Sequence, residues 1–167
     1  MSLAELDECA FAGMTSQSFA GSALFNRTFD EGMSLVEEAA RYFDGRGREE
    51  ARDLPGQTAM LYSSESLRVT TRLMQAASWL LVQRAVHDGD MAATDAADDR
   101  YRLGSKEICF GGRMEDAAPL PKALQNLLVR SDSLYRRIAR LEEILLSSEN
   151  RVSVHGQLAR LEQAFGQ

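Results

Sequence analysis

After Pro55, which a first helical turn tolerates, nothing breaks the helical pattern again before Asp88-Gly89. A helix of about 30 residues reaches ~45 Å at 1.5 Å per residue, so whatever this chain folds into is laid out along it. Spacing residues at about 100° gives two apolar stripes on it, Leu67, Met74, Ala77 and Leu81 beside Val69, Leu73, Ala76 and Leu80. Together they span an arc wide enough to touch two neighbouring helices. The remaining face carries Arg68, Arg72, Gln75 and Gln83, interrupted towards its end by Trp79, Val82 and Val86.

Two further long helices are predicted. Over 20–43, Leu24, Phe25, Phe29, Met33, Val36, Ala39 and Phe43 fill one half of a wheel, with Arg27, Asp30, Glu37, Glu38 and Arg41 in the other; Asp44-Gly45 ends it. Over 120–147, Leu120, Leu124, Leu127, Ser131, Leu134, Ile138, Leu141 and Leu145 follow alternating steps of four and three, the spacing that keeps one seam against a partner. Residues 46–54 read as an exposed loop, 91–103 as a short helix and 105–119 as a second loop. No alternating strand pattern and no internal repeat is present. The expectation is all-α: a homodimeric bundle of three long antiparallel helices with a short helix in the second connection. Residues 1–19 are expected to be a flexible N-terminal segment, 20–147 the bundle, and 148–167 a flexible or loosely helical tail. The predicted core is Phe25, Phe29, Val36 and Phe43, then Leu67, Leu73, Met74, Leu80 and Leu81, then Leu127, Leu134, Ile138 and Leu141.

Composition narrows the function. At 167 residues the chain can bury roughly two-thirds of its unfolded surface. A net charge of −6 lacks the positive potential that nucleic-acid coats and anionic-membrane binders need, so protein partners are expected, with no nucleic acid and no membrane insertion. Cys9 and Cys109 stand far apart in sequence, which gives no redox pair or zinc knuckle and fits a reduced cytoplasmic protein. Glu5, Asp7 and Glu8 sit where a signal peptide carries Lys or Arg, and no apolar run approaches the roughly 20 residues a membrane span requires.

Local chemistry is sparse. Asp88, Asp90, Asp95, Asp98 and Asp99 imitate a calcium loop, but Ala92 and Ala93 replace a ligand and the turn glycine, and no Glu closes it. His87 and His155 lack partners at metal-ligand spacing; His87 suits a helix C-terminus, and His155 reads as a solvated tail residue. Gly104-Ser105-Lys106 lacks the upstream glycine of a phosphate loop. Cys109 has no activating histidine nearby in sequence. No enzyme activity, catalytic residue, cofactor or metal is expected. Seventeen of the nineteen basic residues are Arg, and Arg130, Arg136, Arg137 and Arg140 load the last long helix. Such a face suits carboxylate pairing at protein interfaces, or merely solvation beside Glu142 and Glu143.

The sharpest structural expectation is the dimer interface. In a monomer Trp79, Val82 and Val86 would face water, and with Arg68, Arg72, Gln75 and Gln83 around them they resemble an apolar anchor in a polar rim. The competing arrangement places the short helix 91–103 on that face, Tyr101 and Leu103 lying over Trp79 and Val86 within one subunit.

Family resemblance enters on longer strings. The run 64–86, with Arg68-Val69-Thr70-Thr71-Arg72-Leu73-Met74-Gln75 and Trp79-Leu80-Leu81-Val82-Gln83-Arg84, then Gly89-Asp90-Met91 and Tyr101-Arg102-Leu103-Gly104, closely resembles the RcdA family, the regulators of CtrA degradation. So does 29–45, with Glu31-Gly32-Met33-Ser34-Leu35-Val36-Glu37-Glu38, Tyr42 and Asp44-Gly45. The similarity spans about 20–147. It implies a homodimeric three-helix bundle in the alphaproteobacterial cytoplasm. It also implies a non-enzymatic adaptor that helps the ClpXP protease destroy a cell-cycle response regulator and gathers at a cell pole with other adaptor or response-regulator proteins. Other classes left open are a DNA-binding regulator using the Arg-rich last helix, and a coiled-coil structural protein of polarity or division.

Overall fold

Local chemistry starts the first long helix at Ser22, whose Oγ accepts the Phe25 amide at 3.1 Å and satisfies one of the donors a helix N-terminus leaves open. The structure, a computed structural model, describes residues 16–111 and 119–165; beyond Ser148 it describes side chains only at Val154, Gln157, Leu158 and Arg160. In order come α1 (Ser16–Ala20), α2 (Ala23–Asp44), α3 (Arg46–Arg52), α4 (Gly56–Asp88), α5 (Ala93–Ala96), a 3-10 turn (Asp99–Tyr101), α6 (Lys106–Cys109) and α7 (Lys122–Phe165). Among the described residues there is no strand, and the fold is an all-α bundle of three long helices.

The directions of those helices depart from the expected antiparallel order. Arg84 lies over the Phe25 ring, a Cβ at Gly32 would meet Leu80, and Tyr62 donates to the Gly47 carbonyl at 2.9 Å, so α2 and α4 run antiparallel. Glu38 pairs with Arg130 and Glu31 with Arg137, so α2 and α7 also run antiparallel. Arg72 reaches Leu128 and Asp132, whereas Trp79 and Gln83 share a cleft with Glu142 and Leu145, so α4 and α7 are parallel. The cause is the second connection. It leaves α4 at Gly89, left-handed at φ 81°, and returns along it, Gly104 beside Gln75, Cys109 beside Arg72 and Gly111 beside Arg68. A long crossover of this kind delivers the next helix at the same end from which α4 set out.

The core follows the α7 seam. Leu120, Leu124, Leu127, Ser131, Leu134, Ile138, Leu141 and Leu145 are all 5 % exposed or less. On α4 the stripe Val69, Leu73, Ala76 and Leu80 is buried, but its neighbours Leu67, Met74 and Leu81, expected in the core, are turned to solvent. Gly32 lies close against α4: a Cβ there would stand 2.8 Å from Leu80 Cδ1, so the Leu80 side chain would have to shift.

Other boundaries shift too. Phe19, assigned from sequence to a flexible segment 1–19, is fully buried and its ring lies 5.5 Å from Phe25 and 6.2 Å from Trp79. Residues 46–54, expected as an exposed loop, contain α3, held by the Tyr62 bond to Gly47 and by Tyr42 donating to Glu50 at 2.9 Å. Among its described residues the second connection holds two short helices and a 3-10 turn in place of one helix over 91–103. The last helix continues without a break past Ser147-Ser148 to Phe165. Residues 1–15 with Cys9, 112–118, 166–167 and the side chain of His155 lie outside the described residues.

Candidate interaction surfaces

The polar face of α4 is a clamp on the returning connection. Arg72 is 5 % exposed, and its guanidinium donates through Nε to the Cys109 carbonyl at 2.8 Å, through Nη1 to the Leu128 carbonyl at 3.2 Å and through Nη2 to Asp132 at 2.8 Å. A charge taken out of water survives only with such a complete set of partners. Burial lowers the Arg72 pKa and the Asp132 carboxylate opposes that shift. Asp132 holds Arg136 with its other oxygen at 2.8 Å, and this hydrogen bond raises the Arg136 pKa.

One turn earlier, Arg68 donates to the Gly111 carbonyl and lies 3.4 Å from Glu65, itself 5 % exposed. One turn later, Gln75 accepts the Gly104 amide at 2.8 Å. From α7, Tyr135 donates to the Gly104 carbonyl at 3.1 Å and Glu142 accepts the Leu103 amide at 2.8 Å. Cys109 is fully buried against Tyr135; burial raises its pKa, and burial likewise raises that of Tyr135.

The residues expected at a dimer interface are thereby accounted for inside one chain. Trp79 is 3 % exposed, Val86 3 % and Gln83 5 %, Val82 is half-buried, and Arg68, Arg72 and Gln75 bind the crossover. Trp79 and Gln83 line a small cleft with Tyr101, Arg102 and Glu142. The surface patch of Trp79, Val82, Val86, Arg68, Arg72, Gln75 and Gln83 is therefore corrected to an internal seam, in which Trp79 packs against Phe19 of α1 and shares a cleft with Tyr101 of the 91–103 segment. The physical reason is supply. The returning backbone presents carbonyls and amides to polar side chains that would otherwise need water.

The large side chains that α4 leaves most exposed are apolar. Met60 is 77 % exposed, Leu67 60 %, Met74 64 % and Leu81 53 %, one residue per seven. Sequence reasoning placed three of these in the core. The signal that marks them is that no charged residue shares their arc of the helix.

Among the described residues no group of three or more His, Cys, Asp or Glu is placed to hold a metal ion, and no helix is long and apolar enough to cross a membrane. His87 is exposed in the last turn of α4. On α7, Arg130 bonds Glu38 at 2.7 Å and Arg137 bonds Glu31 through both nitrogens at 2.7 and 3.1 Å. Acids of α2 thus pair with two of the four arginines of this face, and Asp132 of α7 itself pairs with Arg136.

Comparison with known proteins agrees with this architecture. The family described as "Protein of unknown function (DUF1465)" matches residues 16–165. The crystal structure of RcdA from Caulobacter crescentus CB15 is similar at a TM-score of 0.64, with 46% sequence identity over 77% of this chain and 96% of that chain. A search of curated proteins finds no match. With a family match over most of its length and that identity across nearly the whole of RcdA, this chain belongs to the RcdA family.

Proposed function

We propose that the protein is a non-enzymatic adaptor that promotes regulated proteolysis of a cell-cycle response regulator by ClpXP, acting as a cytoplasmic homodimer gathered at a cell pole. The observation that carries this reading is the 46% identity spread over nearly the whole of RcdA. The surface is compatible with it. Polar groups of the central helix are spent on holding the crossover, and an uncharged apolar face is left outside, which is what a protein-binding module needs.

The DNA-binding alternative has less to stand on, because Arg130, Arg136 and Arg137 already pair with Glu38, Asp132 and Glu31. A reader of phosphates needs such cations free to release counterions. The test is turnover in the native bacterium. Pulse-labelled proteomics should find a response regulator whose lifetime lengthens several-fold both when the coding sequence is deleted and when ClpX is depleted. If no protein is stabilised in both strains, the adaptor reading fails. A mobility shift of DNA by the purified chain at physiological salt would count for the alternative.

A further inference from the structure

Two buried side chains of the cleft beside Trp79 lack the partners that burial demands. Gln83 on α4 and Glu142 on α7 both line it, and each is 5 % exposed. The Gln83 Oε1 is enclosed and accepts no hydrogen bond. Glu142 accepts the Leu103 amide at 2.8 Å, but among the described residues no cation stands within ion-pair distance of its carboxylate. Arg72, equally buried, shows the contrast, with a carbonyl or carboxylate for each of its three nitrogens. An acceptor and an anion held out of water without donors cost free energy that a bound donor returns.

The shape of the cleft selects the donor. The space inside it open to the centre of a water-sized group is about 20 Å³, room for one such group. The rings of Trp79 and Tyr101 and the side chains of Leu145 and Leu146 form its walls. A primary ammonium has that size, brings three N–H donors, is attracted to aromatic faces and arrives on an aliphatic stem that leucines can cover. A planar guanidinium needs more room. A hard metal ion would find too few oxygens, and a carboxylate or phosphate would be repelled by Glu142. The rim has the matching sign: five aspartates lie between 88 and 99, and the two arginines that follow are already tied to them, Arg100 to Asp98 and Arg102 to Asp99.

The chain's own lysines do not reach this place. It has two, Lys106 and Lys122. Lys106 rides on the crossover between Gly104, bonded to Gln75, and Cys109, bonded to Arg72, so it passes α4 ~12 Å or more short of Gln83 at 1.5 Å per residue. Lys122 opens α7, ~30 Å before Glu142 on the same scale. The ammonium has to come from another molecule.

We infer that the cleft between Trp79, Gln83 and Glu142 receives a lysine side chain of a partner protein, its ammonium donating to Gln83 Oε1 and pairing with Glu142 while its stem lies along Leu145 and Leu146. This gives the protein contact of the proposed function a chemistry, and rests on that reading only in taking the partner to be a protein.

Trp79 is the chain's only tryptophan, so its indole N–H resonance reports on the cleft by itself. Titrating the full chain with the peptide acetyl-Leu-Lys-Leu-amide should move that resonance saturably, and the counterparts with norleucine or arginine in place of lysine should not. Glu142→Gln keeps an oxygen for the Leu103 amide, and Gln83→Met keeps the side-chain volume. Each should weaken the lysine peptide about tenfold or more, as loss of a hydrogen bond to a charged group does. The same two substitutions should raise the denaturant midpoint of the free chain, because each removes a buried group without a partner. Stability and binding thus move in opposite directions, which a purely structural role would not produce. The absence of a saturable shift, equal binding of the norleucine or arginine peptide, or undiminished binding to Glu142→Gln overturns the inference. A midpoint lowered by Gln83→Met also overturns it, since Oε1 is then already satisfied by a held water. Client lifetime scores the adaptor reading separately, so a chain that shortens it without binding the peptide sinks this inference alone.

Discussion

The two longest helices both repeat large apolar residues with a period near seven, and they use the repeat in opposite senses. On α7 every seam position from Leu124 to Leu145 is buried, whereas on α4 the repeat Met60, Leu67, Met74, Leu81 faces solvent and the arginine-bearing side faces in. Periodicity therefore identifies a face without saying which way it points. On α7 the two agree because nothing competes for the seam. On α4 the decision belongs to the crossover, which covers the polar side with backbone groups that bond Arg68, Arg72 and Gln75.

The strongest way to break this contrast is to remove Arg72. Arg72→Ala leaves the Cys109 and Leu128 carbonyls without their donor and Asp132 with one cation fewer, in a place water reaches poorly. Loss of one partner of a buried ion pair costs ~3–5 kcal/mol, and denaturant unfolding should place Arg72→Ala in that range. A cost below about 1 kcal/mol would mean the polar side of α4 is solvated after all.

A second comparison uses neighbours on one helix. Leu73 is 4 % exposed and Met74 64 %. Leu73→Ala should cost ~2–5 kcal/mol, as should Leu134→Ala in the α7 seam. Met74→Ala should stay within about 0.5 kcal/mol when measured at concentrations where the chain is monomeric. Equal costs at 73 and 74 would show that both stripes are core, as the wheel by itself suggested.

These contrasts also mark how far the sequence could be read. The α7 seam and the buried stripe Val69, Leu73, Ala76 and Leu80 were legible because leucine, isoleucine and valine at helical spacing admit few alternatives. The inversion on α4 was not, because the wheel treats arginine as solvent-seeking, while a guanidinium with three fixed acceptors is content inside. Helix direction was equally hidden. A connection running from Gly89 to Pro121 is long enough to begin the third helix at either end of the second, and only the contacts of Gly104, Cys109 and Gly111 reveal its path. Phe19 was missed because a five-residue helix carries too little pattern to declare itself, although its ring completes the core between Phe25 and Trp79.

Alkaline pH should distinguish the buried side chemically. Burial raises the pKa of Cys109, Tyr135 and Tyr42 in the folded chain. Below about pH 8.5 folded and unfolded chains both hold these protons; above it the unfolded chain releases them first, so unfolding is increasingly favoured as pH rises. The denaturant midpoint should be level from pH 7 to 8.5 and fall towards pH 10.5, with Tyr135→Phe reducing the fall. A midpoint that holds to pH 10.5 would mean these groups ionise as readily folded as unfolded.

The smallest effect is expected where α2 and α7 meet water. Arg137 grips both oxygens of Glu31, but the two side chains are 35% and 43% exposed. Solvent screens such a pair, and ordering two long side chains offsets part of the attraction, which leaves ~0.2–1 kcal/mol by double-mutant cycle. The cycle of Arg137→Ala with Glu31→Ala should give a coupling in that range, shrinking as salt is added. A coupling of 3 kcal/mol or more, on the scale of a buried pair, would mean that this seam is shielded in solution and that something covers it as the crossover covers Arg72.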